Sequence, residues 1–193
     1  NRVAYGGIVV SCNRSRVNIS NQVISTVNQN LTTHEINGFY YIDKCYDVTL
    51  ENIKTEPNKK LNNGTYKFVV HNSINVKLKN ITCVGSSKDY WGCIETSYVK
   101  DMYYYNCYLN RIDTHWYICN LTVRDSHIGD SGINISGFGT ALFDNVTRTG
   151  GDSFLAHRGD YGGLWDGNII IKNCKYKVGY NSTKNSAWVI SHY

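Results

Sequence analysis

The chain has 193 residues, of which 41% are hydrophobic and only 18% charged, with a formal net charge of +5. Its lysines and arginines are scattered singly, so no run tracks a phosphate backbone, and no stretch approaches the roughly 18 apolar residues of a membrane helix. Nucleic acid and membrane are therefore not expected as partners. Seventeen Gly, sixteen Tyr and abundant Asn take the place of the Ala, Glu and Lys of helical proteins, a vocabulary of strands and turns.

Along the chain one short pattern recurs: apolar, any, apolar, any, then Asn or Asp. Its copies are Val17-x-Ile19-x-Asn21, Val48-x-Leu50-x-Asn52, Val76-x-Leu78-x-Asn80, Met102-x-Tyr104-x-Asn106, Leu121-x-Val123-x-Asp125, Ala141-x-Phe143-x-Asn145 and Ile169-x-Ile171-x-Asn173. Successive anchors lie from 19 residues apart (Asn106 to Asp125) to 31 (Asn21 to Asn52). Each copy alternates with period two and so predicts a short strand with one apolar face. A lone strand of this kind cannot bury that face, but copies stacked at about 4.8 Å per rung join it into one interior. The anchor residue then falls in the same corner on every rung, expected to be a buried one, where its side chain bonds the turn and its neighbours above and below.

The fold class predicted is all-β, a right-handed parallel β-helix of stacked rungs, with residues 1–193 as a single domain. A β-sandwich would alternate similarly within any one segment. It would also need hairpin signals of the Asn-Gly kind between copies, and these are lacking. Helical spacing is hinted at only over Ile19 to Val27. With no initiating Met, and with Trp188 to Tyr193 reading as a strand that stops, the chain is expected to be a piece of a longer one, truncated at both ends. Seven cysteines, at 12, 45, 83, 93, 107, 119 and 174, include no CxxC pair; they predict free thiols packed as small hydrophobes, Cys107 and Cys174 among them.

Two stretches could carry chemistry. Over Arg111 to Trp116 alternation places Arg111, Asp113 and His115 on one face, with Ile112, Thr114 and Trp116 on the other. The second stretch, Ala156 to Trp165, holds Arg158, Asp160, Tyr161 and Trp165 among glycines. Asp113 and His115 lie twelve and ten residues before Asp125, while Arg158, Asp160 and Tyr161 lie fifteen, thirteen and twelve before Asn173. Both stretches thus reach the same corner two rungs apart, about 10 Å, with Asp130 on the rung between. Paired carboxylates at that separation could protonate a leaving oxygen and activate water, whereas Asp113 and Asp130 on adjacent rungs come closer to the spacing of a covalent glycosyl intermediate. Trp116, Tyr161 and Trp165 would offer stacking faces to sugar rings. The bland alternative is a set of surface ion pairs tying loops together.

From Arg111-Ile112-Asp113-Thr114-His115, through Ser126-His127-Ile128-Gly129, Gly132-Ile133-Asn134 and Gly137-Phe138-Gly139, to Arg158-Gly159-Asp160-Tyr161-Gly162-Gly163-Leu164-Trp165-Asp166-Gly167 and Asn173-Cys174, the chain resembles a pectate-lyase-like right-handed β-helix module of phage tailspike and pre-neck appendage proteins. Ile112 departs from that pattern, which has an aromatic residue in its slot. The resemblance covers about the C-terminal half. It implies a homotrimeric appendage of the virion tail, assembled in the bacterial host cytoplasm, which binds and often cleaves a bacterial surface polysaccharide or teichoic acid. Carried onto this chain, the motif falls on Arg111, Asp113, His115, Arg158, Asp160, Tyr161 and Trp165. A catalytic reading gives the chemistry to Asp113, His115, Arg158 and Asp160, with Arg111, Trp116, Asp130, Tyr161 and Trp165 binding substrate and neither metal nor cofactor required. An adhesin or structural fibre that only binds is the other reading, and hydrolase and lyase chemistry both stay open.

Overall fold

The structure, a computed structural model, describes residues 8–11, 15–25, 40–56, 66–83, 92–96, 98–116, 118–159, 163–178 and 188–192. Seventeen strands run through them, every pairing is parallel, and no helix occurs among the described residues. One face stacks β1 (Ile8–Ser11), β3 (Tyr40–Asp43), β5 (Phe68–His71), β7 (Cys93–Thr96), the second half of β9 (Tyr108–His115), the second half of β11 (His127–Ile135), β14 (Ser153–His157) and β17 (Trp188–His192). A second face stacks the first parts of β2 (Ser15–Ser25), β4 (Tyr46–Glu56) and β6 (Ile74–Cys83), then β8 (Lys100–Tyr105), β10 (Ile118–Arg124), β12 (Gly137–Asp144) and β15 (Trp165–Lys172). The third takes the ends of β2, β4 and β6, the starts of β9 and β11, then β13 (Thr147–Thr149) and β16 (Lys175–Lys177). Each rung visits all three faces in turn, which makes the chain a right-handed parallel β-helix. The hint of helical spacing after Ile19 is overridden, because Ser15–Ser25 pairs residue by residue with β4.

The repeated pattern supplies the core. Val48, Val76, Met102, Leu121 and Ala141 form one inward column and Leu50, Leu78, Tyr104, Val123 and Phe143 the next, all fully buried. On the first face the Tyr40 and Phe68 rings stack at 5.2 Å, adding aromatic contact to their burial. Six cysteines lie among the described residues, and all six are free thiols. Cys107 and Cys174 are among them, as their place beside the anchors predicts. Burial pushes the Cys83 and Cys107 thiols up to about 12, so at neutral pH they behave as apolar filler rather than as nucleophiles.

The anchors stack in one corner, and in the opposite sense to the burial expected of them. Asn52, Asn80, Asn106 and Asn145 all point outward and are exposed. Each sits at a φ between 51° and 55°, a left-handed turn that Asn tolerates better than other side-chain-bearing residues and that swings the amide away from the core. The Asn52 amide donates to the Asn21 carbonyl oxygen at 3.1 Å, Asn80 to Asn52 at 2.8 Å and Asn106 to Asn80 at 2.9 Å. A parallel column of left-handed residues, Arg16, Asp47, Asn75, Asp101 and Asn120, starts the strands of the second face and passes to Gly139 at φ 84°. There a side chain would put its Cβ 2.3 Å from the Asn120 carbonyl oxygen, which itself accepts from the Thr140 amide at 2.9 Å.

Asn80→Leu is expected to cost about 1 to 3 kcal/mol, since it removes two ladder bonds and forces a branched side chain into the left-handed region. Asn80→Gly, which keeps the turn, should lose less. Urea midpoints measure both, and an unchanged midpoint for the Leu variant would show that the ladder adds nothing to stability.

Candidate functional site

The chain bends between Leu109 and Arg111, so the second half of β9 enters the first face, and there alternation holds through His115 but not at Trp116, which a left-handed corner turns outward instead of onto the inward face with Ile112 and Thr114. Ile112 and Thr114 point into the coil, where Thr114 is satisfied by Ser136: the Thr114 hydroxyl donates to the Ser136 carbonyl at 2.9 Å and the Ser136 hydroxyl to the Thr114 carbonyl at 3.1 Å. Arg111, Asp113 and His115 point outward, yet Asp113 is fully buried, because side chains from distant rungs close over it.

Arg158 follows β14, two rungs on from Asp113 by way of Asn134 and Ala156. Its backbone amide donates to the Ile135 carbonyl at 2.8 Å, and its Nη1 reaches back to both Asp113 carboxylate oxygens, at 2.7 and 2.6 Å. Arg111 Nη2 lies 2.5 Å from Oδ2 and His115 Nε2 lies 3.3 Å from Oδ1. Tyr66, just before β5 and two rungs on the other side, donates its hydroxyl to Oδ2 and lies with its ring 5.8 Å from the Arg111 guanidinium. Side chains from three rungs, the outer two each two rungs away from Asp113, thus converge on a single carboxylate.

Burial alone would push the Asp113 carboxyl up. The bond from His115 opposes it, followed by the charge of Arg111 and the bonds from Tyr66 and Arg158, and together they hold Asp113 below the ordinary carboxylate value. Tyr66 shifts the other way: burial first, then the Asp113 charge beside it, push its hydroxyl far up, so it keeps its proton. Among the described residues, two guanidiniums face one carboxylate in this cluster, an excess of positive charge. Such a cluster can bind an anion and orient it. Asp113 itself stays ionised and is already fully engaged.

The other residues singled out by sequence fall in different settings. Trp116 follows His115 directly at φ 56° and is 53% exposed, at the corner where Tyr98 of the preceding rung, φ 60°, also projects. Trp165, in contrast, is only 6% exposed and donates its indole N–H to the Gly139 carbonyl at 3.2 Å. Glycines on the rung before leave it that room: a Cβ on Gly137 would come within 2.9 Å of its ring. Of these two tryptophans, only Trp116 therefore presents an open face. Asp130 is exposed on a bulge between Ile128 and Gly132, where the buried Arg148 donates to the Gly129 carbonyl at 2.5 Å and the Asp130 carbonyl at 3.4 Å. Asp160 and Tyr161 lie outside the described residues.

Tyr66 and Arg148 escaped the sequence reading. Tyr66 stands fourteen residues before Asn80, an offset between those of Asp113 and Arg158 from their own anchors, so the count that found the others would have found it. For Arg148 the inward-facing position between Thr147 and Thr149 was the available signal.

Fold and cluster together define a parallel β-helix with an outward-facing, positively charged side-chain cluster on one face. Over 94 residues, 43% of this chain, the sequence is 35% identical to the capsule KL64-specific depolymerase of Klebsiella phage P510, and the chain spans 9% of that protein's length. No family model matches, and no solved structure matches.

Proposed function

We propose that this chain is the β-helix part of a phage tailspike-type depolymerase, which binds and cleaves an acidic bacterial surface glycan, a capsular polysaccharide or teichoic acid, during adsorption to the host. The observation that carries the reading is Arg158 reaching across two rungs to Asp113 beside Arg111 and His115. That contact builds a site whose positive excess suits a uronate or phosphate, next to an exposed Trp116 that suits a sugar ring. Similarity to a phage capsule depolymerase supports the same reading. Asp113 acts here as a positioning residue that fixes both guanidiniums. Proton transfer falls to His115 and Asp160, and Tyr161 adds to the sugar contacts. The assembled protein is a homotrimer carried on the virion tail.

A second reading, a glycan-binding adhesin without turnover, is favoured by one feature: the Asp113 carboxylate is sealed and held ionised, and so cannot shuttle a proton. Incubating the chain with purified acidic capsular polysaccharides and following chain length by size-exclusion chromatography separates the two. The depolymerase reading expects fragments from at least one capsule type. Binding with no shortening of any polymer it binds would leave the adhesin.

A further inference from the structure

The anchor ladder has an internal break, between Asn106 and Asp125; at its end it also leaves the column, because Asn173 donates to Asp144 at 3.0 Å rather than to Asn145. In every step of this corner up to Asn106 the amide donates to the residue one rung before, and Asn145 does so again to Asp125 at 2.7 Å. The Asp125 side chain, a carboxylate, has no N–H to give. Among the described residues no side-chain hydrogen bond joins it to Asn106, so the Asn106 carbonyl oxygen and the Asp125 carboxylate stand on adjacent rungs as two acceptors without a shared donor. The break lies in an open groove of about 420 Å³, lined by Asn80, Asn106, Tyr108, Asp125, His127 and Asn145. Beside it, on the same two rungs, the Tyr108 and His127 rings stack at 4.3 Å and 11°. Thr149 holds the His127 Nε2 at 3.2 Å, and burial together with the charge of Arg148 keeps that imidazole neutral at pH 7.

We infer that this groove is a second saccharide site, which takes a neutral pyranose through two neighbouring hydroxyls. The hydroxyls supply the missing donors, one to Asn106 and one to Asp125, and the sugar's apolar edge lies along the Tyr108–His127 pair. A hydrogen bond to a charged acceptor is among the stronger neutral-ligand contacts, and Asp125 offers one here. The same charge repels a uronate or a phosphate, so the corner selects against what the Asp113 cluster attracts. Both sites lie on β9: from Tyr108 to Asp113 is five residues, about 17 Å at most. A heteropolysaccharide with acidic and neutral units could span them. The inference shares with the reading above a saccharide ligand only, and it does not depend on the chemistry at Asp113.

The test uses the whole chain and follows the Tyr108 and His127 side-chain resonances. Methyl α-glucopyranoside, methyl α-mannopyranoside and methyl β-galactopyranoside are titrated, with methyl glucuronide as the acidic contrast. At least one neutral glycoside should shift both rings while the glucuronide does not. Asp125→Asn is the decisive variant, because its amide can donate to Asn106 and close the ladder. It should therefore raise the melting temperature and yet weaken neutral-glycoside binding about tenfold or more, the loss expected for one bond to a charged acceptor. A raised melting temperature with unchanged glycoside affinity would reduce the break to a structural blemish and overturn the site, as would rings that no neutral glycoside moves. Fragment release from capsular polysaccharide is read separately. Ring shifts without fragment release would sink the depolymerase reading and leave this site standing, and fragment release without ring shifts would do the reverse.

Discussion

Asp113→Ala is expected to destabilise the chain by about 3 to 5 kcal/mol, because removing one partner of a buried ion cluster strands the charge of the other. For a domain whose whole stability is of order 5 to 15 kcal/mol, that loss brings it near unfolding. Arg158 suffers most, its side chain being 7% exposed against 13% for Arg111. Pairing Asp113→Ala with Arg158→Met should therefore recover a large share of the loss, since the stranded guanidinium goes too. The pH dependence has a definite sign. The Asp113 carboxyl is held below its ordinary value in the folded chain, so its contribution is complete above the unfolded value of about 4 and is lost as pH falls through the lower, folded value. Urea unfolding from pH 7 down into the acid range should show this group's stabilisation flat at first and then declining, and the Ala variant should lack the decline. A loss below about 1 kcal/mol for Asp113→Ala would show that the cluster is solvated rather than sealed.

The second large effect concerns turnover. If Asp113 is an anchor for cations, the proton movements of glycan cleavage need another carboxylate, and Asp160 follows Arg158 by two residues. Asp160→Asn keeps size and much of the hydrogen bonding but abolishes proton transfer, so fragment release should fall about 10²-fold or more with polymer binding largely retained. Arg158→Lys should act differently. It keeps a positive charge but cannot reproduce the guanidinium's fixed geometry on Asp113, so affinity for an acidic glycan and stability should fall together. An adhesin inverts the pattern: Asp160→Asn would alter affinity alone, and Trp116→Ala would be the most damaging change. Comparing initial rates with binding constants for the three variants distinguishes these outcomes.

The fold was legible because a residue type marks the same corner on each rung. Alternation before Asn52, Asn80 and Asn106 put Leu50, Leu78 and Tyr104 inside, and they are inside. What alternation cannot carry is the backbone's hand at the anchor: the left-handed turn aims each amide outward, and the corner taken as buried is a solvent-facing ladder. The meeting of Asp113 with Arg158 was likewise legible from their offsets before Asp125 and Asn173. Tyr66 carried an equivalent offset but belongs to no charged motif, and a phenol in a Tyr-rich chain draws no attention. Trp165 failed as an open platform for a reason no local pattern holds, since its burial depends on the space left by Gly137 and Gly139 one rung earlier. Asp113 looked like half of an acid and base pair because spacing shows which ionisable groups meet. It does not show that two arginines and a tyrosine would consume both its oxygens.

The most direct test of the proposed glycan site is a crystal structure of the chain with oligosaccharides cut from an acidic capsular polysaccharide. The expected result is a uronate or other anionic group within hydrogen-bond reach of Arg111 or His115, a sugar ring against Trp116, and Asp113 still enclosed by Arg111, Arg158 and Tyr66. An oligosaccharide seated on another face, with the Asp113 cluster untouched, would contradict it.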